Sequence, residues 1–464
     1  MANGYSLVAR SGQSILEILV ALAILVISIT AAITISLGNQ SVSVSSVNTN
    51  DALYLASQNL ETVRAQARGN FNSINPSTTI NGIFTEEILI NSIDIYTKQI
   101  VSRVSWITDP LRPQKVELVA LVTDPTNLIN LGNDAGCSGG IEGSWVNPVA
   151  VGSIDLGAAI VGSSLDIANG VLYISGTSSS TAKNDFFIVN VSNPNTPTII
   201  SQLEVGSKGI NALDAAGQYA YGANESTSTQ LLTINVSNSA TPVIASSFHL
   251  SGVSGSGAVG NSIFYYGSKI YIGTKKATGP EFHIIDVSNP LAPAELGSYE
   301  VNGDINMIKV LDNTAYLATS ADDGEIKILN VSNPANITGV NFNMSGTSDA
   351  LSVFLFQNKL FVGRSGDKQL VILDATIPNS LTELGATTIG ATVNSIAGGN
   401  SLALIGTSDS NKEFQVWNVA NPADTHLISY LNLPNIANGG IDCDSSSLYL
   451  GLRSNDSLRT ITSQ

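Results

Sequence analysis

The sequence predicts a mostly β protein that opens with one long α-helix, then a small α+β region, then a ring of repeated β units. Three observations predict it: an unbroken apolar run near the N-terminus, a motif recurring about every 44 residues, and a composition poor in charge and rich in turn formers. Charged residues make up 12% of the 464, about half the usual share for globular chains. The net charge of −16 supplies no basic face, so nucleic acid is not an expected partner. Two cysteines, Cys137 and Cys443, are too few for a disulfide framework. Neither they nor the separated His249, His283 and His426 fall at zinc-ligand spacing.

The first element is the helix. From Ile15 to Leu37 the chain reads ILEILVALAILVISITAAITISL, ~23 residues, enough to cross a ~30 Å hydrocarbon core. Glu17 is its one charge, Arg10 precedes it, and Asp51 is the next charge after it. That bias places the N-terminus in the cytoplasm and the remainder outside. The run is longer than a secretory signal core and follows Gly12-Gln13-Ser14-Ile15-Leu16-Glu17. Here the sequence resembles the type IV pilin and pseudopilin family. The resemblance implies that a prepilin peptidase cuts between Gly12 and Gln13, leaving Gln13 as the new and usually N-methylated terminus. Glu17 becomes the fifth mature residue. A carboxylate so close to an apolar core is costly without a partner, and the family pairs it with the terminal amine of a neighbouring subunit. Gln13 stands where the family commonly has an aromatic residue or methionine, and the frequent helix proline is absent. A plain signal anchor, with Glu17 at the interface, is the alternative.

Beyond the membrane, Leu53, Ala56, Leu60, Val63 and Ala67 form one apolar stripe, with Arg64 and Arg68 in the last turns and Gly69 as a stop. Strand-like runs follow over 88–107 and 115–123, broken by Asp109-Pro110-Leu111-Arg112-Pro113, which reads as a hairpin turn. Their pattern resembles minor pseudopilin heads.

A repeat fills the rest. It reads Ile-Val-Asn-Val-Ser-Asn-Pro at 188–194 and recurs at 234–239, 284–290, 328–334, 371–378 and 416–422, with intervals of 45, 51, 44, 44 and 44. A seventh unit ends near Leu458-Arg459-Thr460-Ile461. Each unit holds four short runs of period two, the signature of a propeller blade rather than of a helical solenoid. The repeat resembles the LVIVD family of propellers, and Leu370-Val371-Ile372-Leu373-Asp374 nearly spells its name. The expected fold is therefore a pilin-like α+β region followed by a seven-bladed β-propeller. Proline fixes φ and cannot sit in a central strand, which puts the Asn-Pro turn between the third and fourth strands. In that frame the last unit lacks a fourth strand, while an orphan strand near 149–156 precedes the first complete set. A closed ring would let the orphan complete the last blade and remove two edges. Cys137 lies just upstream of the orphan and Cys443 lies in the last unit, so a disulfide between them can form outside the cell. Two unpaired cysteines are the alternative.

The division expected is a leader over 1–12, an assembly helix over 13–68, a small β domain over 69–130, a linker over 131–148 and the propeller over 149–464. Gly255-Ser256-Gly257-Ala258-Val259-Gly260 matches a dinucleotide pattern, but a strand rather than a helix follows it, so it reads as a loop. There is no His-Glu-x-x-His and no Walker loop. Acidic loops at 322–325 and 409–413 offer oxygens to calcium, although polar solvated turns are the plainer reading, and no metal or cofactor is expected. The Asn-x-Ser triplets arise from the repeat itself.

Together these readings give a minor pilin or pseudopilin, not an enzyme. It would sit first in the cytoplasmic membrane, then join a filament with other pilin subunits, displaying the propeller at the cell surface to a glycan or protein ligand. The alternatives are a type II secretion pseudopilin that contacts cargo, or a membrane-anchored propeller enzyme acting on glycans.

Overall fold

The computed structural model describes residues 47–67, 71, 74–92, 97–109, 112–123, 145–168, 170–346, 348–356, 358–399, 401–444, 447–454 and 456–463. Gly12, Gln13, Glu17, the apolar run that holds Glu17, and Cys137 lie outside them. Two compact units make up the chain, Met1–Pro125 and Thr126–Gln464. Among the described residues no helix is long and apolar enough to cross a membrane.

In the first unit a helix over 47–67 packs on one face of a four-stranded antiparallel sheet. Its strands, Ser77–Asn81, Phe84–Ser92, Thr97–Asp109 and Arg112–Thr123, lie side by side in chain order. The strands on either side of the proline-rich break pair antiparallel, as a hairpin requires, with Asp109 opposite Arg112. The helix stripe needs one correction. Ala56, Leu60, Val63 and Ala67 are buried as expected, but Leu53 is 47% exposed and Ala52 is buried instead. Spacing alone admits either residue; packing selects Ala52, which clusters with Ala56 under Val104 and Trp106. The first strand was not anticipated, because Ser77–Asn81 is exposed along its whole length and carries no apolar alternation.

The second unit contains seven four-stranded antiparallel sheets among its described residues. Their first strands are Val161–Ala168, Ile210–Ala216, Gly260–Tyr266, Ile305–Leu311, Ala350–Phe356, Val393–Gly399 and Ala437–Cys443, taken below as sheets 1 to 7. Each of these contacts the next, and the seventh contacts the first, so they form a closed inner ring. Second and third strands are nearly all buried because neighbouring sheets cover both faces. Outermost strands are mostly exposed or half-buried, and Ala294–Tyr299 alternates so that only every second residue is partly covered. Sheet 7 closes as the repeat frame requires: its fourth strand is Val149–Asp155, which pairs with Asp456–Thr462. Just ahead of it Trp145 is 2% exposed, its ring edge-on to Phe414 at 6.3 Å and its carbonyl accepting from Ser429 Oγ at 2.7 Å.

The recurring motif is a pair of successive Asx turns. Asn190 Oδ1 accepts from Ser192 N at 2.9 Å, then Asn193 Oδ1 accepts from Asn195 N at 3.1 Å. The same pair recurs at Asn235 and Asn238, Asp286 and Asn289, Asn330 and Asn333, and Asn418 and Asn421. Such side chains mimic a backbone turn and suit the reversal between strands. The valine between them (Val191, Val236, Val287, Val331) is buried.

Candidate functional site

The inner ring places seven first strands about one axis, and two levels along it carry polar side chains. At the lower level, the residues facing second-strand Tyr173, Tyr221, Tyr271, Tyr316, Phe361, Leu404 and Tyr449 in register are Asp166, Asp214, Phe264, Lys309, Phe354, Ala397 and Asp442. Acidic residues therefore occupy three consecutive sheets, 7, 1 and 2. Each reaches the next sheet. Asp442 Oδ2 accepts from Ile167 N at 2.7 Å, Asp166 Oδ2 from Ala215 N at 2.7 Å, and Asp214 Oδ2 from Tyr265 N at 2.6 Å. These clasps satisfy backbone donors that no ladder partner can reach.

All three carboxyls are at most 6% exposed. Burial, then the charge of Asp166, pushes Asp214 and Asp442 well above the usual carboxylate range. Asp214 Oδ1 is buried and accepts no hydrogen bond. On the other side of the ring, the Lys309 ammonium lies 5.0 Å from the centre of the Phe264 ring. Loss of hydration lowers its pKa to about 8, and the Asp442 charge opposes that shift. In Asp214 and Asp442 the arc thus favours the protonated carboxyl more than a solvated site would.

The upper level lies near the N-terminal ends of the inner strands. In sheets 1 to 6 each inner strand carries one extra residue, where the register with the second strand shifts: Ser163, Asn211, Asn261, Asn306, Leu351 and Asn394. Such bulges re-aim a side chain. Here four amides donate to the leading carbonyl of the next sheet: Asn211 Nδ2 to Gly260 O at 2.7 Å, Asn261 to Ile305 at 2.9 Å, Asn306 to Ala350 at 2.8 Å and Asn394 to Ala437 at 2.9 Å. Ser163 Oγ donates likewise to Ile210 O. Around the same end sit Glu225, paired with Lys275 at 3.3 Å, and Asp304, which accepts from Lys276 N at 2.7 Å.

The acidic loops have structural roles. In sheets 2 to 6 a buried acid or amide just before the third strand accepts a backbone N–H about twenty residues on. Glu325 takes Met344 N at 2.8 Å, Glu413 takes Leu433 N at 2.7 Å, and Gln230, Glu281 and Gln369 do the same. Asp323 pairs with Lys327 at 2.8 Å. Among the described residues no group of three His, Cys, Asp or Glu is placed to hold a metal ion. The glycine pattern is a loop: Gly260 begins a strand, and Ser254 bridges to Thr278 across sheet 3. A Cβ on Gly257 would fall 1.9 Å from Lys276 O, so that close approach needs glycine.

Of the site residues expected from sequence, only Cys443 is described. It is buried and disulfide-bonded. Gly12, Gln13, Glu17 and Cys137 lie outside the described residues. The axial asparagines and aspartates were not anticipated. The asparagines left a trace, an Asn after the leading small or β-branched residue at 211, 261, 306 and 394, in phase with the turn motif.

The LVIVD repeat model matches residues 180–204 and 262–301. Among solved structures, the chain is similar to the β-propeller domain of Cps50 (Swd1) from Myceliophteria thermophila, with 12% identity and a TM-score of 0.51 over 68% of this chain and 100% of that one. It is also similar to a catalytically inactive virginiamycin B lyase from Staphylococcus aureus with quinupristin, with 15% identity and a TM-score of 0.52 over 68% of this chain and 99% of that one. At these identities the likeness concerns the fold alone. No curated protein matches the chain. The second unit is thus a β-propeller bearing LVIVD repeats.

Proposed function

We propose that this chain is a minor type IV pilin or pseudopilin that carries a seven-bladed β-propeller to the cell surface as a binding module. The observation that carries the reading is the run Gly12 to Glu17 set directly before an apolar segment of membrane-spanning length. A helix packed on a four-stranded antiparallel sheet, as in the first unit, is compatible with a pilin head. In this reading the prepilin peptidase cuts after Gly12, Gln13 becomes the N-terminus, and Glu17 pairs with the terminal amine of a neighbouring subunit. A propeller of this bulk fits poorly along a tightly packed shaft, which favours the tip or a low-copy position.

Export also suits the cysteines. The chain has two, Cys443 is disulfide-bonded, and we assign Cys137 as its partner. The bond would tie the segment before the first strand of the propeller to the sheet that this strand completes. To test the filament role, Glu17→Val protein is compared with the unaltered chain in sheared surface filaments. Loss of the variant from filaments, with the protein still present in the membrane, is expected. Normal incorporation would remove the role given to that carboxylate.

A further inference from the structure

We propose that the upper end of the inner ring binds a neutral polyhydroxylated ligand, the end of a glycan chain, through the amide oxygens of Asn211, Asn261, Asn306 and Asn394. This deepens the binding role proposed for the propeller and rests on it, but not on the pilin pathway. Each of these asparagines sits on a bulge, a device that turns a side chain out of the ladder. Each amide nitrogen is fixed on the next sheet's leading carbonyl at 2.7–2.9 Å. Fixing the nitrogen also fixes the oxygen. None of the four oxygens accepts a hydrogen bond from a described residue, and none is sealed from solvent. The ring therefore presents preorganised, uncharged acceptors around one axis, and these recognise donors such as hydroxyl groups.

Two sheets show that the inter-sheet bond alone does not explain the asparagines. Sheet 5 closes with Leu351 at the bulge, which makes no such bond, and sheet 1 closes with Ser163. The ring thus tolerates other residues where only closure is needed. A hydroxyl-bearing ligand is favoured over an amine because the acceptors are neutral, and the carboxylate of Glu225 beside them already holds Lys275 at 3.3 Å.

The test uses the purified full-length protein titrated calorimetrically with maltotriose, cellotriose, chitotriose and mannotriose, and separately with spermidine. Saturable binding of at least one trisaccharide is expected. The double variant Asn261→Leu/Asn306→Leu, which copies the residue sheet 5 already carries, should weaken it by about tenfold or more. Leu351→Asn, which adds an acceptor, should strengthen binding of the same sugar. Binding of none of the four sugars, binding of spermidine instead, or sugar binding unchanged in both variants would overturn the proposal. Filament entry of the Glu17→Val protein reports on the pilin reading independently, so the two can fail separately.

Discussion

Replacing Asp214 separates two contributions that burial has tied together. Its Oδ2 accepts from Tyr265 N at 2.6 Å, its Oδ1 has no partner, and its carboxyl is 6% exposed. Asp214→Ala removes the acceptor and leaves a buried N–H unpaired, at a cost of ~1–3 kcal/mol. Asp214→Asn keeps an oxygen for that donor and removes the charge. The pH dependence follows from the raised pKa of the native carboxyl, caused first by burial and then by Asp166. A carboxyl whose folded pKa exceeds its unfolded value, ~3.9, stabilises most when protonated, and that contribution is lost as pH rises above ~4 toward the folded pKa. The unaltered protein should therefore lose stability relative to both variants as pH rises above ~4. The gap between the Asn and Ala variants should stay at ~1–3 kcal/mol throughout. Urea unfolding of the full chain at several pH values, followed by tyrosine and tryptophan fluorescence, measures both quantities. If Asp214→Asn costs as much as Asp214→Ala, or gains nothing as pH rises, the carboxyl is neither a clasp nor a proton holder.

Three further outcomes are expected. Asp185, fully buried with Oδ2 accepting from Val205 N at 3.3 Å, has its pKa raised to about 6 by burial. Stability should fall by up to ~3 kcal/mol as pH rises from about 4 through 6, and Asp185→Asn, which supplies an amide as Gln230 and Gln369 do, should flatten that fall. Trp145→Ala should destabilise the propeller by ~3–5 kcal/mol, seen as a lower melting temperature, whereas Val146→Ala, at a 56% exposed position, should change it little. Reduction by dithiothreitol should lower propeller stability by ~2–4 kcal/mol if Cys443 bonds Cys137, and Cys137→Ser should reproduce the reduced protein; an equally stable Cys137→Ser chain would remove that pairing.

Much of the propeller is legible in the sequence because its repeat is chemical as well as periodic. Asn190 and Asn193 recur because each makes an Asx turn that no apolar residue can make. Placing proline outside the central strands sets the frame, and the frame places Val149–Asp155 in the last sheet. The axial residues were harder to read. Aspartate at the lower level occurs in three sheets only, so it leaves no repeat. Its meaning depends on Ile167, Ala215 and Tyr265, which belong to neighbouring sheets. The bulge asparagines do repeat, but a single Asn in a β-branched run reads as a turn residue until the register shift is seen. In the first unit, the stripe from Ala56 to Ala67 follows from helical spacing. The choice of Ala52 over Leu53 comes from Val104 and Trp106, which lie far along the chain.

The filament reading rests on processing at the N-terminus. Its most direct test is mass spectrometry of the protein recovered from cells with and without the prepilin peptidase. The account predicts a mature chain beginning at Gln13 that disappears when the peptidase is absent. An uncut N-terminus in both strains would contradict it, leaving a signal-anchored surface propeller with no place in a filament.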